Sequence, residues 1–253
     1  LIWCGGTALP RTVDFKGFAE IADEVGALLV ADISHIGGLV VSGQHPSPVP
    51  HVHIVTTTTH KTLRGPRGAM IMVTQKGLEK DPELANKIDS TIIPGLQGGP
   101  HLNTIAGIGV ALLEASHTSF NAYGSQIVKN AKALADGLMK RGFKLVSDGT
   151  DNHLILLDAS PSGIGRGVLF HEGLERIGIY TNKNTVPGEQ GSPFYPSGVR
   201  LGTPAVTTRG MKEAEMEQIA DWIKRFADHI QTIQLPNDKE ARNVVLQNFR
   251  DQL

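Results

Sequence analysis

The sequence has one cysteine, Cys4. No disulfide can form within the chain, so the fold does not depend on an oxidising compartment. Net charge is almost absent: 24 Lys and Arg stand against 25 Asp and Glu, a formal −1. That balance gives no electrostatic reason to expect nucleic acid or an anionic membrane as partner. No uninterrupted apolar run approaches the roughly 20 residues of a membrane span, and no basic-then-apolar leader opens the chain. Cytoplasm is the default expectation. An initiator methionine is missing as well. The chain opens Leu1-Ile2-Trp3-Cys4-Gly5-Gly6, an apolar stretch meeting a glycine turn, which reads as the end of a buried strand. A sheet that begins on a core strand has neighbours upstream, so the expectation is a fragment.

What is present is an ordinary globular composition. The 253 residues are 40% hydrophobic and 19% charged, room for one or two domains with a sizeable core. Apolar residues at 18, 21, 22 and 25 have helical spacing, ended by Gly26. Leu28 to Ala31 is apolar without alternation, which suits a strand of a parallel sheet covered on both faces. A Gly- and Pro-rich loop is expected from Gly37 to Pro50. The β-branched run Val52 to Thr58 and the segment Ala69 to Thr74 read as further strands. Helices are expected over Asn103 to His117 and Ser125 to Lys140. Strands are expected at Phe143 to Val146, Leu154 to Leu157 and Ile179 to Thr181, with a helix from Gly167 to Ile177. A last strong helix spans Met211 to Ile230, and a polar tail after Leu235 reads as a short terminal helix. Alternating strands and helices imply an α/β layered fold, with a domain boundary near 117 to 121.

The chemistry concentrates in Thr56-Thr57-Thr58-Thr59-His60-Lys61-Thr62-Leu63-Arg64-Gly65-Pro66-Arg67-Gly68. A lysine just past a strand's C-terminal end stands where open α/β sheets bind ligands. An imine-forming lysine needs its neutral form, which burial and nearby positive charge favour. His60, Arg64 and Arg67 could supply that charge. By itself an arbitrary Thr-His-Lys is far more often a surface lysine in a basic turn. Ala31-Asp32-Ile33-Ser34-His35 adds an aspartate at the end of the preceding strand. Such a carboxylate is costly in an apolar setting unless it meets a cation or donor. The protonated pyridine nitrogen of pyridoxal phosphate is one such partner. Adjacent parallel strands would bring Asp32 and Lys61 to one sheet edge. Alone, Asp32 would be a cap or a turn residue.

Other signals are discounted. Gly163-Ile164-Gly165-Arg166-Gly167 invites a dinucleotide reading, but the pattern needs glycine where Val168 stands, so a turn is expected. His51 and His53 share a strand face without further ligands at metal-binding spacing, and read as loop-edge histidines; no metal is expected. The stripe on the 211 to 230 helix reads as core.

Asp32-Ile33-Ser34-His35 and the Thr-Thr-Thr-Thr-His-Lys-Thr-Leu-Arg-Gly-Pro-Arg-Gly block are similar to the signature of the serine hydroxymethyltransferase family. The resemblance continues through Pro94-Gly95-Leu96-Gln97-Gly98-Gly99-Pro100, Asn182-Lys183-Asn184 and Ser197-Gly198-Val199-Arg200-Leu201-Gly202-Thr203-Pro204, in family order from Leu1 to Ile230. It implies part of a fold-type I pyridoxal-phosphate-dependent transferase. The C-terminal part of the large, mostly parallel domain would be 1–118 and a smaller α+β domain 119–253. The implied activity is reversible interconversion of serine and glycine with tetrahydrofolate as one-carbon acceptor. The alternatives are an aldolase acting on β-hydroxy amino acids, or a fragment that does not catalyse.

The resemblance also implies roles. Lys61 holds pyridoxal 5'-phosphate as an imine, with His60 beside it in the site. Asp32 pairs with the pyridine nitrogen. His35 and Thr7 lie near the phenolic oxygen; the family usually has serine at the Thr7 position, and threonine keeps the hydroxyl. Arg67 lies near the cofactor. Gly98 and Gly99 reach the phosphate of a neighbouring subunit's cofactor, in a homodimer or homotetramer. Arg200 holds the substrate carboxylate, and Asn184 and Phe194 lie near the folate. The family's ring-stacking residue, most of its phosphate loop and its catalytic glutamate and tyrosines would lie upstream of Leu1. The isolated chain is therefore expected to be inactive.

Overall fold

A computed structural model describes residues 1–236 and 238–252. They form two compact units: Leu1–Thr7 with Thr12–Ser125, and Ala8–Arg11 with Gln126–Leu253. Among the described residues, no helix is long and apolar enough to cross a membrane.

The first unit is α/β. Strands β1 (Ile2–Gly5), β2 (Leu29–Asp32), β3 (Ile54–Thr58) and β4 (Ala69–Val73) form one sheet in the order β1-β2-β3-β4. The first three are parallel, with Gly5 opposite Asp32 and Asp32 opposite Thr56, and β4 returns antiparallel to β3. Helix α1 (Phe15–Glu24) joins β1 to β2. The Asp14 carboxylate accepts from the Gly17 N–H at 2.9 Å and starts it. Its buried Phe15, Ala19 and Ala22 pack with Leu29, Ala31 and Val55 of the strands. Burying an aliphatic or aromatic side chain of this kind contributes about 1.5–3 kcal/mol.

Sequence and structure differ here in instructive ways. Among the described residues β1 stands at the edge of the sheet, with Leu1 70% and Trp3 58% exposed and Cys4 buried. Burial pushes the Cys4 thiol up to about 11, so it stays protonated near neutrality. The expected loop 37–50 contains a short helix, α2 (Gly37–Val41). It approaches the lysine segment closely, since a Cβ on Gly38 would stand 2.6 Å from the Thr62 carbonyl oxygen. Two short helices, α3 (Gln75–Lys80) and α4 (Leu84–Ser90), follow β4 without having been expected. The π-helical turn Thr91–Leu96 then leads to α5 (Leu102–Ala115).

Helix α6 (Thr118–Lys140) begins in the first unit and continues into the second. In the second unit β5 (Lys144–Leu145), β6 (Leu154–Asp158), β7 (Asn182–Asn184) and β8 (Gly198–Gly202) form an antiparallel sheet, order β5-β6-β8-β7. Its other elements are α7 (Gly167–Arg176), α8 (Pro204–Thr208), α9 (Glu213–His229) and α10 (Lys239–Gln252). Leu138, Ile155, Leu157, Leu169, Ile223 and Phe249 belong to one buried core.

The strand expected at 179–181 begins later, at Asn182. Gly178, at φ 85, ends α7, and the Ile179 N–H donates to the Leu174 carbonyl at 2.8 Å. Ile179 therefore closes a helix instead of opening a strand. His53, expected at a loop edge, is 2% exposed, and its Nδ1 accepts from the Leu29 N–H at 3.0 Å.

Candidate active site

The C-terminal ends of β1, β2 and β3 open into a cavity of about 430 Å³. The alternation of side chains along a strand decides which threonines reach it. Thr57 and Thr59 are buried, whereas Thr58 faces the cavity beside Lys61. The Lys61 Nζ donates to Thr58 Oγ1 at 2.9 Å. That hydroxyl in turn donates to the Ser34 carbonyl at 3.4 Å. The Thr58 N–H donates to Ser34 Oγ at 3.0 Å, and the Ser34 N–H donates to Asp32 Oδ1 at 2.9 Å. Ser34 is thus bonded both to the threonine that holds the amine and to the carboxylate, and the amine and carboxylate line the same cavity.

At Gly5, β1 comes close to the backbone of Asp32 on β2. The glycine's φ is 142, and a Cβ there would stand 2.3 Å from the Asp32 carbonyl oxygen. Thr7 and His35 also line the cavity. The His35 segment is tied to the lysine segment by Thr62, whose hydroxyl donates to the His35 carbonyl at 3.4 Å and accepts from the Gly38 N–H at 2.8 Å.

His60 and Arg67 are paired outside the cavity lining: an Arg67 guanidinium N–H donates to His60 Nε2 at 3.4 Å. Burial, with the charges of Lys61 and Arg67 added, holds the His60 imidazole below its ordinary range. A neutral ring is what that acceptor role requires. Arg64 does not join them. Its guanidinium lies over the Tyr123 ring at 4.2 Å from the centroid and near Phe120 at 5.6 Å. The charge that sequence reasoning offered to the lysine from Arg64 is thus spent on an aromatic pair in α6.

The other expected residues lie elsewhere. Gly98 and Gly99 lie in the exposed segment before α5, with open space where a Cβ would be. In the second unit, Arg200 lies on β8 opposite Asn182, and one guanidinium nitrogen donates to Asn182 Oδ1 at 3.3 Å. The Asn184 side chain donates to the Thr185 carbonyl at 2.7 Å, and Phe194 is 77% exposed.

Sequence reasoning named no role for Trp3, Cys4, Gly5, Gly6, Ser34 or Thr58, all of which line the cavity. The period-2 pattern of the threonine run could have singled out Thr58. Nothing comparable marks the β1 end, which contributes through its proximity to β2. A larger cavity of about 530 Å³ lies in the second unit, but its walls are Ile177, Ile179, Trp222 and Phe226. Arg225 and His229 are the polar groups there, and no amine–carboxylate pair is present. The smaller cavity is the chemically equipped one.

An amine, a carboxylate, hydroxyls and an imidazole at one sheet edge can hold a carbonyl compound through the amine and a protonated ring nitrogen through the carboxylate. Comparison with known proteins bears on the same residues. The family model described as serine hydroxymethyltransferase matches residues 1–223. The chain is 55% identical over 247 residues to a serine hydroxymethyltransferase of Acidothermus cellulolyticus, covering 98% of this chain and 55% of that protein. It is 55% identical over 230 residues to one from Sorangium cellulosum, covering 91% and 52%. A Phenylobacterium zucineum protein of the same name is 50% identical over 242 residues, covering 96% and 55%. The chain spans about half the length of these curated relatives. With the match running from the β1 edge of the cavity into α9, the chain belongs to the serine hydroxymethyltransferase family.

Proposed function

We propose that the chain works in the reversible interconversion of serine and glycine with tetrahydrofolate as one-carbon acceptor, and that its first unit holds pyridoxal 5'-phosphate, as in fold-type I transferases. The observation that carries this reading is the pairing of Lys61 and Asp32 in one cavity at the ends of neighbouring parallel strands. The donor set fits the cofactor: an amine for its aldehyde, a carboxylate for its ring nitrogen, and hydroxyl and imidazole groups for its phenolic oxygen. When bound, the cofactor supplies an electron sink for the α-carbon of the amino acid.

The chain's own residues do the rest. Lys61 is the covalent anchor, and Thr58 orients its amine through the 2.9 Å bond. Asp32, steadied by the Ser34 N–H, keeps a proton on the ring nitrogen. Thr7 and His35, which line the same cavity, would hold the phenolic oxygen. His60, neutral, accepts from Arg67 and so fixes that guanidinium against the lysine turn. Arg200 binds the amino-acid carboxylate, since a planar guanidinium matches it in bidentate fashion. Asn184 and Phe194 receive the folate. The backbone N–H groups of Gly98 and Gly99 serve the phosphate of a neighbouring subunit's cofactor in a homodimer.

The test is borohydride reduction of the cofactor-loaded, full-length protein, followed by peptide mapping. Label is expected on Lys61; label on another lysine overturns the assignment. Serine cleavage that proceeds equally without tetrahydrofolate would favour an aldolase instead.

A further inference from the structure

The segment between β7 and β8 leaves the sheet at Asn184 and returns at Gly198, and these two residues are paired across the strands. An excursion of this length has no regular ladder of its own. One carboxylate ties its two ends together. Glu189 Oε2 accepts from the Ser197 N–H at 2.8 Å and from the Val186 N–H at 3.4 Å. Its Oε1 accepts from the Ser197 hydroxyl at 2.7 Å and from the Gly191 N–H at 2.8 Å. The two ends of the loop, Val186 and Ser197, are thereby held to the same side chain.

The clamp extends beyond the loop. Ser197 is 1% exposed, and its hydroxyl oxygen accepts from the Gly165 N–H at 3.0 Å. The Ser197 carbonyl accepts from the Ala159 N–H at 3.0 Å. Within the loop, Ser192 and Tyr195 bridge each other and put Phe194 at an exposed tip. Lys183 Nζ donates to the Phe194 carbonyl at 3.3 Å. A half-buried glutamate would ordinarily resist ionisation. Burial does work against it, yet the Ser197, Gly191 and Val186 donors prevail and hold its carboxyl below the usual range. All four of these bonds run into the carboxylate oxygens, and both oxygens of an ionised carboxylate accept.

We propose that Glu189 is a positioning residue for folate: its carboxylate ties together the ends of the 185–197 loop and so fixes where Phe194 stands relative to Asn184 on β7. The inference rests on the folate role given to those two residues above. Glu189 itself touches no substrate in this scheme. It acts by removing the loop's freedom before binding, so the ligand does not have to order it.

The experiment uses full-length, cofactor-loaded protein with Glu189→Gln and Glu189→Asp. Glutamine turns an NH2 toward donors that had an oxygen, so at least one hydrogen bond to a charged group is lost. Losing about 1.5–3 kcal/mol corresponds to at least about a tenfold rise in the KM for tetrahydrofolate. Amide exchange in 185–197 is expected to quicken in parallel. Visible cofactor absorbance and folate-independent cleavage of a β-hydroxy amino acid are expected to stay unchanged. Glu189→Asp keeps the charge on a shorter arm and is expected to fall between parent and glutamine, and it decides the matter if the glutamine variant does not fold. An unchanged folate KM, unchanged exchange, or an equal loss of the folate-independent reaction overturns the proposal. A parent enzyme whose turnover ignores folate would instead bring down the functional reading, and this inference with it.

Discussion

Arg64 occupies the left-handed backbone region at φ 60, next to Gly65-Pro66 in the lysine turn. A side chain there costs about 1–2 kcal/mol relative to the right-handed region, and the guanidinium contact with Tyr123 and Phe120 offsets part of it. The two contributions can be separated. Arg64→Ala loses the aromatic contact and keeps the backbone strain, whereas Arg64→Gly loses the contact and the strain together. The glycine variant is expected to be more stable than the alanine variant by about 1 kcal/mol, read from urea denaturation midpoints. Equal midpoints would mean that the turn relaxes without Arg64 in place.

At the scale of elements, His45 and His53 stitch loops to strands. His53 Nδ1 accepts from Leu29 at the start of β2, and His45 Nε2 accepts from the Val13 N–H at 3.3 Å, just ahead of α1. Burial holds both imidazoles below their ordinary range. On acidification the unfolded chain takes up protons that the folded rings refuse, so unfolding is favoured. The stability these rings contribute is fully present above about pH 6.5, the unperturbed histidine value, and is lost as pH falls through the depressed folded values. The urea midpoint is expected to drop between neutral and mildly acidic pH; a flat profile over that range would contradict it.

The same scale shows what could be read in advance. β2 and β3 were legible because two-sided burial leaves an apolar or β-branched run, and α9 because its stripe has a clean helical period. Asp32 and Lys61 were legible as a pair because parallel neighbours align their C-terminal ends. β8 was missed because Gly198 and Gly202 bracket it and glycine reads as turn. β7 was displaced because Gly178 prolongs the helix end through Ile179. The Trp3–Gly6 wall of the cavity was not legible, since its contribution comes from backbone proximity across the sheet and from no motif of its own. Arg64 was misjudged because sequence neighbourhood to Lys61 says nothing about which way a long side chain turns.

On the scale of the whole molecule, α5 is the anomaly. Leu102 is 73%, Ile105 51%, Val110 57% and Leu113 62% exposed, all on one side of the helix. We propose that this contiguous apolar face is covered in the full-length protein, with a second copy in the proposed homodimer as its partner. Leu113→Lys is expected to shift the full-length protein from dimer toward monomer in sedimentation velocity. Cofactor retention is expected to weaken with it, because Gly98 and Gly99 serve the neighbour's phosphate in that scheme. A dimer unmoved by the charge would take α5 out of the interface.

The lysine turn is closed by bonds that leave its lysine's side chain out. The Thr59 N–H donates to the Gly68 carbonyl at 3.0 Å, the Thr59 hydroxyl to the Pro66 carbonyl at 2.6 Å, and the Gly65 N–H to the Thr59 carbonyl at 2.8 Å. Lys61 adds to the closure of the turn its backbone carbonyl, which accepts from the Arg64 N–H at 2.9 Å and is present whatever the side chain, while its amine bonds back to Thr58 at the end of β3. The proposed cofactor anchor is therefore a passenger on a frame built by its neighbours. Exchanging it alters the chemistry and leaves the frame standing, so a variant at this position interrogates reactivity separately from architecture.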